Sequence, residues 1–151
     1  ESINSYLPVE WVSKNRLLKE ADIICLHVPK TPATIDIINE EELNLMKNDA
    51  FLVNTARGGL INEEALFDAL NKNKIAGAGL DVYDKEPYLG GPLSKLENII
   101  MTCHMGANTI VSRARMEIQA AECLIAYLDG DHIPRIVPDS EYDLQIAMKN
   151  R

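Results

Sequence analysis

Arg57, Glu86 and His104 each follow a short apolar run, and together they could bind a carboxylate and move a proton to or from a neighbouring carbonyl or hydroxyl oxygen. Arg57 comes in the turn after Phe51-Leu52-Val53, ahead of Gly58 and Gly59, within the segment NTARGGL. Its planar guanidinium can hold a carboxylate through two parallel hydrogen bonds, and the glycines let substrate and backbone approach it closely. His104, in TCHMGAN, supplies an imidazole, the kind of side chain suited to give a proton to a carbonyl oxygen and take it back. Glu86, in DVYDKEP, could accept a hydrogen bond from the other ring nitrogen, orienting the imidazole and stabilising its protonated form. Each residue alone has a plainer reading: a solvated turn arginine, a loop carboxylate, a structural histidine. Their common placement after apolar runs is what raises the chemical reading, because parallel sheets bind ligands beyond the carboxyl ends of their strands.

The elements that must position them are legible from patterning. Ile23 to Leu26, Phe51 to Val53, Ala76 to Val82 and Ile99 to Met101 are short apolar runs of the kind found in parallel strands covered on both faces. Val9 to Val12 suits a short edge strand. Ser13 caps a helix reaching Glu20, with Leu17 and Leu18 facing inward. Asn39 opens a helix whose first turn holds Glu40, Glu41 and Glu42, favourable at the positive end of its dipole, with Leu43 and Met46 on one face. Asn62 caps another, with Leu66, Ala69 and Leu70 inward. The last helix runs from about Asn108 to Asp129, striped by Ile110, Ala114, Ile118, Ala121, Ile125 and Leu128, and ends at Gly130. Alternating strands and helices predict an α/β, doubly wound parallel sheet.

At 151 residues, 46% hydrophobic, the chain can bury one domain core. A net charge of −8 argues against a nucleic-acid surface, and the absence of long apolar stretches or a signal peptide argues against a membrane and for a cytoplasmic location. Cys25, Cys103 and Cys123 are odd in number and widely spaced, so neither a disulfide framework nor a metal site is expected; Cys25, in an apolar strand, reads as a buried thiol. The chain opens at Glu1 without methionine and carries no GxGxxG, so it reads as a piece of a longer protein.

From about Ala21 to Asp131 the order Arg57, Glu86, His104 resembles the D-2-hydroxyacid dehydrogenases. The resemblance implies an NAD-dependent oxidoreductase interconverting a small D-2-hydroxyacid and its 2-keto acid, most like phosphoglycerate dehydrogenases and hydroxypyruvate or glyoxylate reductases. It implies a catalytic set of Arg57, Glu86 and His104. Val28, Pro29 and Thr34, in HVPKTPAT, match the adenosine side of the cofactor site; Thr55, Ala56 and Arg57 match its nicotinamide side. Asp81 matches the acceptor of the nicotinamide carboxamide, and His104, Gly106 and Ala107 match the closing loop. The fold implied is Rossmann-like and incomplete, lacking its first two strands and the glycine-rich phosphate loop, with Ile23 to Leu26 left as a sheet edge. Residues 1–130 would be the C-terminal part of the cofactor domain, and residues 131–151 a crossover toward a substrate domain. The family commonly dimerises through this domain, so a homodimer is expected. Where the family usually has proline, this chain has Cys103. An NAD(H)-sensing corepressor-like protein shares the fold and the triad and is the alternative.

Overall fold

The computed structural model describes residues 9–133, which fall into two compact units divided between His104 and Met105. In the first unit the order is α1 (Lys14–Glu20), β1 (Ile23–Leu26), α2 (Glu40–Leu45), β2 (Phe51–Asn54), α3 (Glu63–Asn71), β3 (Gly77–Leu80), a 3₁₀ turn at Leu93–Lys95 and β4 (Ile99–Met101). The strands pair in parallel in the order β1-β2-β3-β4. This is the expected parallel α/β sheet, wound steadily in one direction as in one half of a doubly wound fold. β1 lies at its edge, as the resemblance implies.

Each helix starts where a polar side chain can satisfy its first free amides. Ser13, Asn39 and Asn62 all cap as expected. At α2 the cap is reciprocal: Asn39 accepts from the Glu41 amide at 2.7 Å, and the Glu42 carboxylate accepts from the Asn39 amide at 3.2 Å. Glu42 is buried, which pushes its pKa up, yet the Lys14 ammonium at 2.8 Å and the Asn39 amide outweigh burial and leave it below the ordinary value. The same carboxylate thus joins α1 to α2.

Leu43 and Met46 from the α2 region, and Leu66, Ala69 and Leu70 from α3, share a core with Ile24, Leu26, Leu52, Ala78 and Leu80 of the sheet. The opposite face differs from the expectation of strands covered on both sides. Ile23, Cys25, Phe51 and Ile100 are exposed there, so the Cys25 thiol is accessible rather than buried. Right-handed crossovers that all advance in one direction lay their helices on one side of the sheet, and that is the side filled.

Val9 to Val12 forms no strand. Glu10 instead pairs with the Arg16 guanidinium at 2.5 Å, so this segment is engaged at the start of α1. Within α1, Leu18 is buried, whereas Leu17 is exposed. The second unit contains α4 (Ile110–Asp129), capped by Thr109 and closed by Gly130 in the left-handed conformation, close to the limits read from sequence. Its expected stripe is present as a row, but Ile110, Ile118, Ile125 and Leu128 are exposed. Most of the 131–151 segment, from residue 134 onward, lies outside the described residues.

The reciprocal cap at α2 makes a measurable claim. Asn39→Ala is expected to lower stability by about 1 kcal/mol, read from urea unfolding, because it strips a partner from the first turn.

Candidate active site

The register sets the site. Leu26, Asn54, Leu80 and Met101 are aligned across the sheet, so the chain segments after all four strands leave from one edge.

Asn54, the last residue of β2, is almost fully buried and shapes the loop that carries Arg57. Its side-chain oxygen accepts from the Ala56 amide at 3.1 Å, and its side-chain nitrogen donates to the Arg57 carbonyl at 2.9 Å. Arg57 is exposed, and its guanidinium donates to the Ala56 carbonyl at 2.6 Å. A Cβ at Gly58 would lie 1.8 Å from the Tyr83 carbonyl oxygen, so only glycine lets the β2 loop touch the β3 loop here. Gly59 takes φ +78°, against the Lys30 side chain. Lys30 in turn meets Asp84 at 3.1 Å. The Asp36 amide donates to Gly59, and Ile38 pairs with Ile61, which zips the segment after β1 to the one after β2.

His27, Val28, Pro29 and Lys30 face Thr55, Ala56 and Arg57 across an open cleft of about 470 Å³. Thr34 does not line it. Its hydroxyl donates to the Pro29 carbonyl and accepts from the Thr31 amide, each at 2.7 Å, closing the turn that holds Val28 and Pro29.

Beyond β3, Asp81 is buried, and its carboxylate accepts from the Thr102 hydroxyl at 2.5 Å. Tyr83 ties three loops together. Its carbonyl abuts Gly58, its amide donates to Glu86 at 3.0 Å, and its hydroxyl donates to the Thr102 carbonyl at 2.7 Å. Burial holds the Tyr83 phenol above its ordinary pKa, so it remains a donor.

His104 is the second residue of the loop after Thr102. Its amide donates to the Asp81 carbonyl at 2.8 Å, and its φ of +51° is a left-handed conformation uncommon outside glycine. Its Nδ1 stands 2.6 Å from Glu86 Oε2. The His104 ring and the Tyr83 amide hold the Glu86 carboxyl below its ordinary pKa. An ionised Glu86 makes Nδ1 the donor and leaves Nε2 as the nitrogen that can exchange a proton with a ligand. Glu86 and His104 are therefore brought together as the sequence suggested. Gly106 and Ala107 belong to the second unit, in the turn leading to α4.

Asn54, Tyr83 and Thr102 escaped the sequence reading as site-shaping residues. Asn54 had a signal, an amide ending an apolar run. Tyr83 and Thr102 had none, since their partners are remote in sequence. Among the described residues, no group of three or more His, Cys, Asp or Glu could hold a metal ion, and no helix is long and apolar enough to cross a membrane.

Residues 2–106 match the family model of the D-isomer specific 2-hydroxyacid dehydrogenase, NAD binding domain. The chain is 45% identical over 128 residues to a glyoxylate reductase of Thermococcus litoralis, covering 85% of this chain and 39% of that protein. The crystal structure of the TT0316 protein from Thermus thermophilus is similar with a TM-score of 0.82 and 46% identity, over 88% of this chain and 43% of that one. D-lactate dehydrogenase with NAD+ from Lactobacillus jensenii gives a TM-score of 0.77 and 34% identity, over 84% and 42%. The chain spans about two fifths of the length of these relatives.

The Glu86–His104 pair predicts a pH signature. Glu86 has a folded-state pKa below its unfolded value, so its stabilisation is complete above the unfolded value and fades as pH falls through the folded one. Glu86→Gln is expected to melt below the parent at neutral pH, with the difference closing in the acid range. Thermal melts from about pH 7 to about pH 2 test this; a constant difference would mean that the charge of Glu86 does not matter.

Proposed function

This chain belongs to the D-isomer specific 2-hydroxyacid dehydrogenase family, and on that premise we propose that it carries the catalytic side of an NAD-dependent oxidoreductase. The reaction is the interconversion of a small D-2-hydroxyacid and its 2-keto acid, of the glyoxylate or hydroxypyruvate class. The observation that carries this reading is the 2.6 Å contact between His104 Nδ1 and Glu86 Oε2 at the sheet edge where the Arg57 loop also lies.

The residues present suit a dinucleotide. The cleft between His27–Lys30 and Thr55–Arg57 falls in the size range of small-ligand pockets, with an apolar wall at Val28, Pro29 and Ala56. Thr34 acts on it indirectly, by fixing the turn that carries Val28 and Pro29. Thr55 borders the nicotinamide side, and the buried carboxylate of Asp81 is suited to accept from a carboxamide N–H. Gly106 and Ala107 join the cofactor set from their sequence position after His104. When bound, NADH supplies the hydride that reduces the carbonyl carbon.

The side chains do the rest. Arg57 holds the substrate carboxylate in a two-pronged grip, which fixes the keto group relative to His104. His104, protonated for reduction, gives its Nε2 proton to the carbonyl oxygen as the alcohol forms; for oxidation, neutral His104 removes that proton. Glu86 keeps the Nδ1 proton in place and stabilises the imidazolium. The three free cysteines suit a reducing cytoplasm, and the exposed apolar row of α4 supports association as a homodimer.

In the full-length protein, His104→Ala is expected to lower kcat by about 10²- to 10⁴-fold, far more than it weakens NADH binding. Stopped-flow reduction of a panel of 2-keto acids checks it, and near-parental turnover would remove His104 from proton transfer. Arg57→Lys is expected to impair keto-acid use severely, because lysine keeps the charge without the fork. Unchanged KM and kcat for every acid in the panel would refute the carboxylate grip. NADH binding without turnover of any acid by the parent protein would favour a sensing role instead.

A further inference from the structure

We propose that Thr102 is a positioning residue that sets the orientation of the Asp81 carboxylate and, through it, the grip on the nicotinamide carboxamide. The inference rests on the reading of Asp81 as the carboxamide acceptor. It goes beyond that reading by assigning the side chain that makes Asp81 competent.

The placement follows from the sheet. Leu80 and Met101 are paired in β3 and β4, and the Thr102 amide donates to the Leu80 carbonyl at 2.9 Å, so the ladder continues one step past Met101. Asp81 and Thr102 are therefore neighbours across adjacent strands, with side chains on the same face. The threonine hydroxyl has one hydrogen. The Asp81 oxygen at 2.5 Å is the close and charged acceptor, whereas the Leu80 carbonyl is at 3.5 Å. The bond to Oδ1 restricts rotation of the carboxylate and so contributes to the direction in which it can accept from a ligand.

Thr102 is itself held firmly. Its carbonyl accepts from the buried Tyr83 hydroxyl at 2.7 Å, and its β-branched side chain has restricted χ1 freedom. The Asp81 carbonyl meanwhile holds the His104 amide. One residue is thereby tied through its carboxylate to Thr102 and through its carbonyl to the proton-transfer histidine. Thr102 touches no reacting atom; its effect must appear in how Asp81 meets the carboxamide.

The test compares NADH with its reduced 3-acetylpyridine analogue, in which a methyl ketone replaces the carboxamide and has no N–H to donate. Dissociation constants are measured by calorimetry on the full-length protein and on Thr102→Val, Thr102→Ser and Asp81→Ala. Thr102→Val, isosteric but without the hydroxyl, is expected to weaken NADH binding about tenfold. It should weaken binding of the analogue by no more than about twofold, because the contact it disturbs is absent there. Thr102→Ser should recover most of the NADH affinity. Equal weakening of both ligands by Thr102→Val, or no weakening of either, would overturn the inference while leaving Asp81 in place. If Asp81→Ala keeps the parental preference for NADH over the analogue, the Asp81 reading fails and the inference falls with it.

Discussion

Leu26, Asn54, Leu80 and Met101 stand side by side in the parallel register, so the segments that carry the candidate site residues all emerge at one level of the sheet. A shift of one residue in any strand would turn its side chains to the other face and move its loop by about 3.3 Å. Asn54 would then leave the buried position from which it holds Ala56 and Arg57. Asp81 would lose its place beside Thr102. The register is enforced by the alternation of Ile24, Leu26, Leu52, Ala78 and Leu80 into the helix-covered core. The packing of the sheet and the geometry of the candidate site are thus one constraint.

Beyond the strand ends, contacts that bridge loops do the positioning. Tyr83 is central because its amide, carbonyl and hydroxyl engage Glu86, the approach of Gly58 and the Thr102 carbonyl respectively. The β2, β3 and β4 loops are therefore fixed relative to one another by one buried side chain and its own backbone. His104 adopts its left-handed conformation at the end of this chain of contacts. Such a conformation costs on the order of 1–2 kcal/mol for a residue with a Cβ. The Asp81 carbonyl on its amide and the Glu86 carboxylate on its ring hold it there. A strained residue held by two independent partners is a common arrangement where a side chain must be aimed.

The first unit buries one face of its sheet and leaves Ile23, Phe51 and Ile100 exposed on the other. Among the described residues, β1 forms an edge whose backbone has a strand partner on only one side. In the second unit, α4 carries exposed Ile110, Ile118, Ile125 and Leu128. Within the first unit the polar candidate site gathers at the carboxyl edge of the sheet, while the uncovered apolar area lies on the sheet face.

By itself, the sequence determined the parallel α/β class and the limits of most helices. Caps at Ser13, Asn39 and Asn62, and apolar periodicity, are local signals that act within a few residues. The family motif supplied the pairing of Glu86 with His104, which chain spacing alone would have left open. Tertiary structure decided which face of the sheet is filled, why Cys25 is accessible, and why Val9 to Val12 is not a strand. It also decided the contacts of Tyr83 and Thr102. Thr102 reaches Asp81 across 21 residues, and the Thr102 carbonyl reaches the Tyr83 hydroxyl across 19. Contacts of that span depend on strand register and crossover handedness, which no short window of sequence encodes.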